Sequence, residues 1–229
     1  MSKLIIIIPA YNEAKTIGMV LDDLPKKLDK INQIETVVVN DGSSDDTENV
    51  AKKRKVKVLT HILNRGLGGA LATGIEYAKK NDADIVVTFD ADGQHDPTDI
   101  PKIIEPILNK KADFVIGSRM KGQGMPLDRK ILNWFGNLLT FLLFGLYTTD
   151  AQSGMRALSK KAVSLIRLQM NRMEVSSEFI KEIARLKLKL HEVPIKAIYT
   201  EYSKVKGQKN TNSVNVFVKL LFYKFVNLK

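Results

Sequence analysis

The sequence predicts an α/β fold in which a mostly parallel central sheet carries helices on both faces. Three observations lead there. Short β-branched runs alternate with helical patterns over the first 117 residues, the runs are apolar on both faces, and polar, glycine-containing loops follow them. With 229 residues, 44% of them hydrophobic and 27% charged, the chain can bury one generous core, and no Pro/Gly/Ser-rich linker divides it.

In chain order, strands are expected at Leu4–Ile8, Thr36–Val39, Val56–Thr60, Ile85–Phe89 and Phe114–Ile116, where Ile, Val, Thr and Phe concentrate. Helices are expected between them at 13–29, 46–54, 67–80 and 98–110. Beyond 120 comes a Gly-rich connection, Lys121-Gly122-Gln123-Gly124, then an apolar helix over 127–146 and a small, polar run from Asp150 to Arg156. Helices near 159–168 and 176–188 and a strand pair around 190–200 follow.

The stretch ILNWFGNLLTFLLFGLY, 131–147, is shorter than the roughly 20 apolar residues a spanning helix needs. On a helix, Asn133, Asn137 and Thr140 form one narrow polar stripe, so the segment reads either as buried core or as a helix resting on a membrane surface. Val214–Leu228 has a similar form, with Lys219 and Lys224 placed to snorkel. The apolar run Leu4 to Ile8, closed by Pro9, is too short for a signal-peptide core, which favours a cytoplasmic location.

Charge is uneven. Of the formal +11, residues 186–229 carry an excess of seven, nine lysines against Glu192 and Glu201. Such a segment suits anionic lipid headgroups, a phosphorylated substrate or nucleic acid, and is also the form of a plain solvated face. The absence of cysteine excludes disulfides and thiolate metal sites, leaving oxygen and imidazole as metal ligands.

In a parallel α/β sheet the ligand site lies beyond the carboxyl ends of the strands. Five loops here have the composition for one: Pro9-Ala10-Tyr11-Asn12-Glu13, Asn40-Asp41-Gly42-Ser43, Asn64 to Gly69, Asp90-Ala91-Asp92, and Gly117-Ser118-Arg119. Singly, each could be a helix cap or a turn, Asn12 and Asp45 among them. Together they converge on one edge of one sheet.

The most informative is VVTFDADGQHDP, 86–97, an apolar strand ending in two aspartates one residue apart. In an extended chain residues i and i+2 point the same way, so Asp90 and Asp92 can face one point. Hard paired carboxylates, with Gln94 as a neutral third oxygen, suit Mg²⁺ or Mn²⁺. The alternative is that one aspartate caps the helix starting near Thr98. His61, His95 and His191 receive no role, though His95 stands nearest the pair.

The ordered motifs IIIIPAYNEAKTI, VVVNDGSSDDT, NRGLGGALATGI, VVTFDADGQHDP, ADFVIGSR and DAQSGMRAL resemble those of the inverting family 2 glycosyltransferases over about 200 residues, a likeness that spans most of the chain. The NRGLGGALATG, DADGQH, GSR and SGMRA elements look most like the polyprenyl- and dolichyl-phosphate mannose synthases and their glucosyl relatives. The resemblance implies the glycosyltransferase type-A, Rossmann-like, fold. It also implies a catalytic domain over 1–200, with a nucleotide-sugar half at 1–117, an acceptor-side half at 118–200, and a basic amphipathic segment at 201–229.

By the same resemblance Pro9, Tyr11, Glu13, Asp41, Asp90 and Asp92 contact the nucleotide sugar, and Asp90, Asp92 and Gln94 hold the metal. Asp92, Arg119 and Arg129 are the catalytic group, the two arginines holding phosphate, and Ser153 and Arg156 belong to the acceptor side. The implied reaction is a metal-dependent inverting transfer of mannose or glucose from GDP-mannose or UDP-glucose to a polyprenyl or dolichyl phosphate. It would occur at the inner face of the cell membrane, by peripheral attachment or through a membrane-anchoring partner, and without nucleic acid. The Tyr202–Lys209 stretch follows the family's acceptor segment loosely, so the acceptor stays more open than the donor side. Other readings are a different sugar acceptor, a phosphatase of the haloacid-dehalogenase type, a catalytically silent sugar-nucleotide sensor and a basic nucleic-acid-binding module. In the phosphatases the aspartate motif normally ends in Thr on the first strand, whereas here Gln94 follows Gly93 on the fourth.

Overall fold

The computed structural model describes residues 2–199. Seven strands form one sheet in the order β3-β2-β1-β4-β6-β5-β7. They are β1 (Lys3–Ala10), β2 (Gln33–Asn40), β3 (Lys57–Thr60), β4 (Ile85–Thr88), β5 (Phe114–Ser118), β6 (Arg156–Ser159) and β7 (Leu190–Pro194). The helices are α1 (Ile17–Asp23), α2 (Thr47–Lys52), α3 (Leu67–Lys80), α4 (Ile100–Leu108), α5 (Leu127–Phe144), α6 (Lys160–Leu165) and α7 (Val175–Leu186).

Strand periodicity divides the core. Leu4, Ile6 and Ile8 of β1 pack toward α1 and α4, with Ile17, Val20, Ile100, Ile103 and Ile104. Ile5 and Ile7 face α3, α6 and α7, meeting Leu71, Ile75, Val163, Phe179 and Ile180. Both faces are therefore dry, as the continuous apolar runs require. A side chain at Gly74 would overlap Ile7, so this glycine lets α3 lie close on the sheet.

Pro9 sits in a central strand without breaking it. Phe89 N donates to Ile7 O and Asp41 N to Ala10 O, so alternate β1 residues face β4 and β2. Pro9 faces the β4 side, where pairing stops at Ile7↔Thr88, and it has no ladder partner to lose.

Several expected boundaries move. The helix expected at 13–29 shrinks to α1, because Leu24 precedes Pro25 and turns extended at ψ 144°. The expected helix at 98–110 opens with a 3-10 turn, Pro97–Asp99, capped by the Asp96 side chain on Thr98 N. The strand pair expected at 190–200 is one strand, β7, followed by a single bridge from Ala197 to His95.

The largest departure is β6. The small, polar run that starts at Asp150 leads into a short strand that is antiparallel to both β4 and β5, inside an otherwise parallel sheet. Its register puts Arg156 opposite Thr88 and Ile116. The basic amphipathic segment expected at 201–229, including Val214–Leu228, lies outside the described residues.

Helix α5 has the expected stripe with the opposite sense from a core helix. Its buried residues are Asn133, Asn137 and Thr140. Trp134, Phe135 and Leu142 are 47%, 59% and 65% exposed, and Ile131 is 52% exposed. Among the described residues no helix is long and apolar enough to cross a membrane.

Candidate active site

The carboxyl ends of β1, β2 and β3 are stitched together by their own loops. Asn12, held at φ 53°, donates its backbone N–H to Ser43 Oγ and accepts from Ser44 N through Oδ1. Asp45 accepts from Ala14 N and Thr47 N. Neither residue caps a helix alone; each ties the first loop to the second.

Asp41, 3% exposed, leaves β2 and fastens the loop after β3. Its Oδ1 accepts from Arg65 N at 2.9 Å and contacts His61 Nδ1 at 2.7 Å, while Oδ2 accepts from Gly66 N at 2.7 Å. Gly66, at φ 87°, is the N-cap of α3. His61 Nε2 reaches Thr73 Oγ1 at 2.9 Å on the same helix. Glu13 is buried, donates its N–H to Thr47 Oγ1 and accepts from Thr16 Oγ1. Tyr11 stands exposed at the rim and Pro9 is partly buried below it.

Beyond β4 the chain does not stay extended. Asp92 lies in a turn completed by Gly93 at φ 76°, and its Oδ1 accepts from Gln94 N at 2.9 Å. The i, i+2 geometry expected of an extended chain is thus replaced by a turn, which still leaves the two carboxylates within each other's field. Neither caps the following helix, since Asp96 does that.

The pair is electrostatically uneven. Burial would raise Asp90, but the His95 hydrogen bond and the charges of His95, Arg156 and Arg119 hold it below the usual carboxylate value. Burial, then the Asp90 charge, push Asp92 up to about 6 despite the Gln94 N–H. Two carboxylates this close, one resisting ionisation, form a donor set that a divalent cation would relieve. Mg²⁺ and Mn²⁺ are commonly bound by one or two carboxylates completed by substrate phosphates, and the residues present fit that pattern. Among the described residues no three His, Cys, Asp or Glu side chains converge as a complete cage. Gln94 is fixed through its backbone, its carbonyl accepting from Ile198 N.

The arginines divide. Arg119, at the end of β5, makes a bidentate pair with Asp150 through Nε at 2.8 Å and Nη2 at 2.9 Å. Asp150 is fully buried and also accepts from Arg119 N and Asn133 Nδ2. Burial alone would lower Arg119, but the Asp150 charge and hydrogen bonds raise it. Arg156, 2% exposed, donates through Nη2 to Ala151 O and Ser176 Oγ, and stacks on Phe179 with its guanidinium carbon 4.8 Å from the ring centre. Burial lowers it to about 10, against the opposing pull of Asp90 and Asp150, so it remains charged at neutral pH. Arg129, in the first turn of α5, stands beside Tyr199 rather than among the leading neighbours of Asp90. Ser153 is buried with its Oγ unpartnered among the described residues.

The structure therefore brings Asp90, Asp92, Arg119 and Arg156 into one field and keeps Asp41 at the β2 end. It also gives contacts to two histidines left without a role. His61 binds Asp41, and His95, 2% exposed, reaches Asp90 Oδ2 through Nε2 at 3.0 Å. The only sequence signal was position, His95 three residues beyond the aspartate pair and His61 directly after a strand.

Known proteins share this architecture. In a crystal structure of glucosyl-3-phosphoglycerate synthase from Mycobacterium tuberculosis, with Mn²⁺, UDP and glucosyl-3-phosphoglycerate, the fold superposes with a TM-score of 0.73 at 19% identity, covering 97% of this chain and 80% of that one. The chain is 42% identical to a UDP-N-acetylglucosamine–dolichyl-phosphate N-acetylglucosaminyltransferase of Methanococcus voltae, over 96% of this chain and 95% of the relative. It is 32% identical to an undecaprenyl-phosphate mannosyltransferase of Micrococcus luteus, over 89% of this chain and 87% of the relative. The glycosyl transferase family 2 profile matches residues 5–166, which hold every site residue above but Ser176, Phe179, Ile198 and Tyr199. With its type-A fold and its strand-end carboxylates within the matched span, the chain belongs to glycosyl transferase family 2 and is a glycosyltransferase.

Proposed function

We propose that this enzyme transfers a sugar from a nucleoside diphosphate sugar to a polyprenyl phosphate at a membrane surface, with Asp90, Asp92 and Gln94 holding Mg²⁺ or Mn²⁺. The observation that carries the donor side is the Asp90–Asp92 pair at the end of β4, faced by the charges of partly buried Arg119 and buried Arg156. When bound there, the cation would supply positive charge to the departing diphosphate.

The residues themselves would do the rest. Pro9, Tyr11, Glu13 and Asp41 line the base and ribose end, with Asp41 acting through the Arg65–Gly66 turn that it fastens. Arg119 and Arg156 add fixed positive charge in a site where reorganisation is small. An acceptor phosphate oxygen attacks the anomeric carbon as the bond to the nucleoside diphosphate breaks on the opposite face. A phosphate monoester is already largely deprotonated at pH 7, its second pKa being about 6, so no general base is required. Arg129, at the start of α5, is kept as a phosphate-holding arginine and Ser153 as an acceptor-side residue.

The acceptor reading is supported by α5, whose apolar residues face outward. A bilayer carrying the polyprenyl chain would cover them, by peripheral attachment at the cytoplasmic face. The named sugars of the relatives are N-acetylglucosamine and mannose, so UDP-N-acetylglucosamine joins GDP-mannose and UDP-glucose as a donor. Because of the higher identity to the Methanococcus voltae protein, it is the first to test.

The test is to incubate the purified chain with each donor, Mn²⁺ and a short-chain polyprenyl phosphate, and to follow the glycosylated lipid by mass spectrometry. Product with one donor, abolished by EDTA and restored by Mn²⁺, is expected. Turnover unaffected by EDTA would remove the metal, and absence of product from all three donors would remove the acceptor assignment.

A further inference from the structure

The Asp90 carboxylate rests on a residue from the other half of the chain. A side chain at Gly154 would overlap Oδ2, Oδ1 and Cγ of Asp90, so all three carboxyl atoms lie against this glycine's Cα. Gly154 itself is pinned, since its carbonyl accepts from Thr88 Oγ1 at 2.6 Å and Thr88 is the last residue of β4. On the other side His95 Nε2 meets Asp90 Oδ2 at 3.0 Å.

The imidazole has little else to hold. Its Nδ1 is buried with no hydrogen-bond partner among the described residues, and the ring packs edge-on to Phe89 at 5.8 Å. The backbone of His95 is meanwhile bridged to Ala197.

We propose that Gly154 and His95 are positioning residues for Asp90, so that the cation and diphosphate site of the donor half is completed by the turn that opens the acceptor-side strand β6. Gly154 gives the carboxylate a floor that any side chain would remove, and His95 fixes its rotation by a hydrogen bond from the side. Residues that orient a metal ligand typically account for about 10- to 100-fold in metal affinity.

This inference rests on the reading of Asp90 and Asp92 as metal ligands, and the experiment separates the two. Mn²⁺ binding is measured by loss of the free-ion EPR signal, without nucleotide and with UDP or GDP, for the wild type, Asp92→Ala, Gly154→Ala, His95→Gln and His95→Leu. Thermal unfolding is recorded for each. Expected are loss of binding in Asp92→Ala, a drop of about 10- to 100-fold in Gly154→Ala and His95→Leu, and recovery in His95→Gln, whose amide can still donate to Asp90. If Gly154→Ala does not fold, the contrast between His95→Gln and His95→Leu decides. Wild-type affinity in Gly154→Ala and His95→Leu, with Asp92→Ala still deficient, overturns the positioning role and leaves the metal reading standing. Wild-type affinity in Asp92→Ala, or no Mn²⁺ binding by the wild type, overturns both.

Discussion

The strand-end loops before residue 117, which the proposed function assigns to the donor, and the β5–β6 end of the later part, which it assigns to the acceptor, hold their carboxylates in different ways. In those strand-end loops three acids are met by backbone N–H groups: Asp41 by Arg65 and Gly66, Asp45 by Ala14 and Thr47, Asp92 by Gln94. At the β5–β6 end the fully buried carboxylate of Asp150 is met instead by the guanidinium of Arg119. Loops stitched by backbone groups keep their shape while leaving negative charge to be used by a ligand. An ion pair holds its charges to each other first, and removing one partner strands the other. On the proposed reading the first set of loops receives a cation, and the later part contributes the fixed cations Arg119 and Arg156.

The sharpest break of that comparison is Asp92→Ala. Transfer should fall by about 10³-fold, the scale on which a single stabilising group at a developing charge is removed. The melting temperature should hold or rise, because Asp92 is itself pushed up to about 6 by burial and Asp90. Steady-state kinetics beside calorimetry read both. A melting loss as large as that of an acceptor-side charge would erase the distinction.

Asp150→Asn is next, and its main effect is on stability. Leaving Arg119 buried without its carboxylate should cost about 3–5 kcal/mol at pH 7. Burial alone would raise Asp150, but the Arg119 charge and hydrogen bonds hold it below its ordinary value, so the pair's contribution has a defined sign with pH. It is fully present above the unfolded pKa of about 3.9, and is lost as pH falls through the lower folded-state value. Urea titrations of wild type and variant should therefore differ most near neutrality and converge in acid. A difference independent of pH would show that the carboxylate charge is not what holds Arg119.

The same division explains what could be read in advance. Donor-side strands and loops carry local signals, β-branched runs, Gly-rich turns and Asn or Asp at strand ends, each recognisable from its own few residues even where its partner is distant. The turn at Asp92 escaped because only the Gly93 backbone at φ 76° reveals it. Acceptor-side features depend on distant pairing. β6 spans only Arg156–Ser159 and is stabilised by β4 and β5 on either side, so no local period marks it. Arg156 reads as a binding-site arginine in sequence, and its burial comes from Ser176 and Phe179, twenty or more residues later. For α5 the stripe of Asn133, Asn137 and Thr140 was visible, but which side faced the body was not, because Thr149, Asp150 and Ala151 supply the partners.

That helix supplies the prediction with the smallest effect on the fold. Asn137 donates to Thr149 O and accepts from Ala151 N, so Asn137→Leu, which would improve an ordinary amphipathic helix, should here destabilise by about 1–3 kcal/mol by leaving buried backbone groups unpaired. On the outer face the sense reverses. Trp134→Ser with Phe135→Ser removes apolar surface that faces outward among the described residues, and should change the unfolding free energy by no more than about 0.5 kcal/mol per site. Co-sedimentation with phosphatidylglycerol vesicles should nonetheless weaken by about tenfold or more, since each buried aromatic contributes roughly 1.5–3 kcal/mol of transfer. A loss of stability comparable to that of Asn137→Leu, with vesicle binding unchanged, would mean that the outward face packs on protein rather than lipid, and the acceptor half would lose its claim to the membrane side.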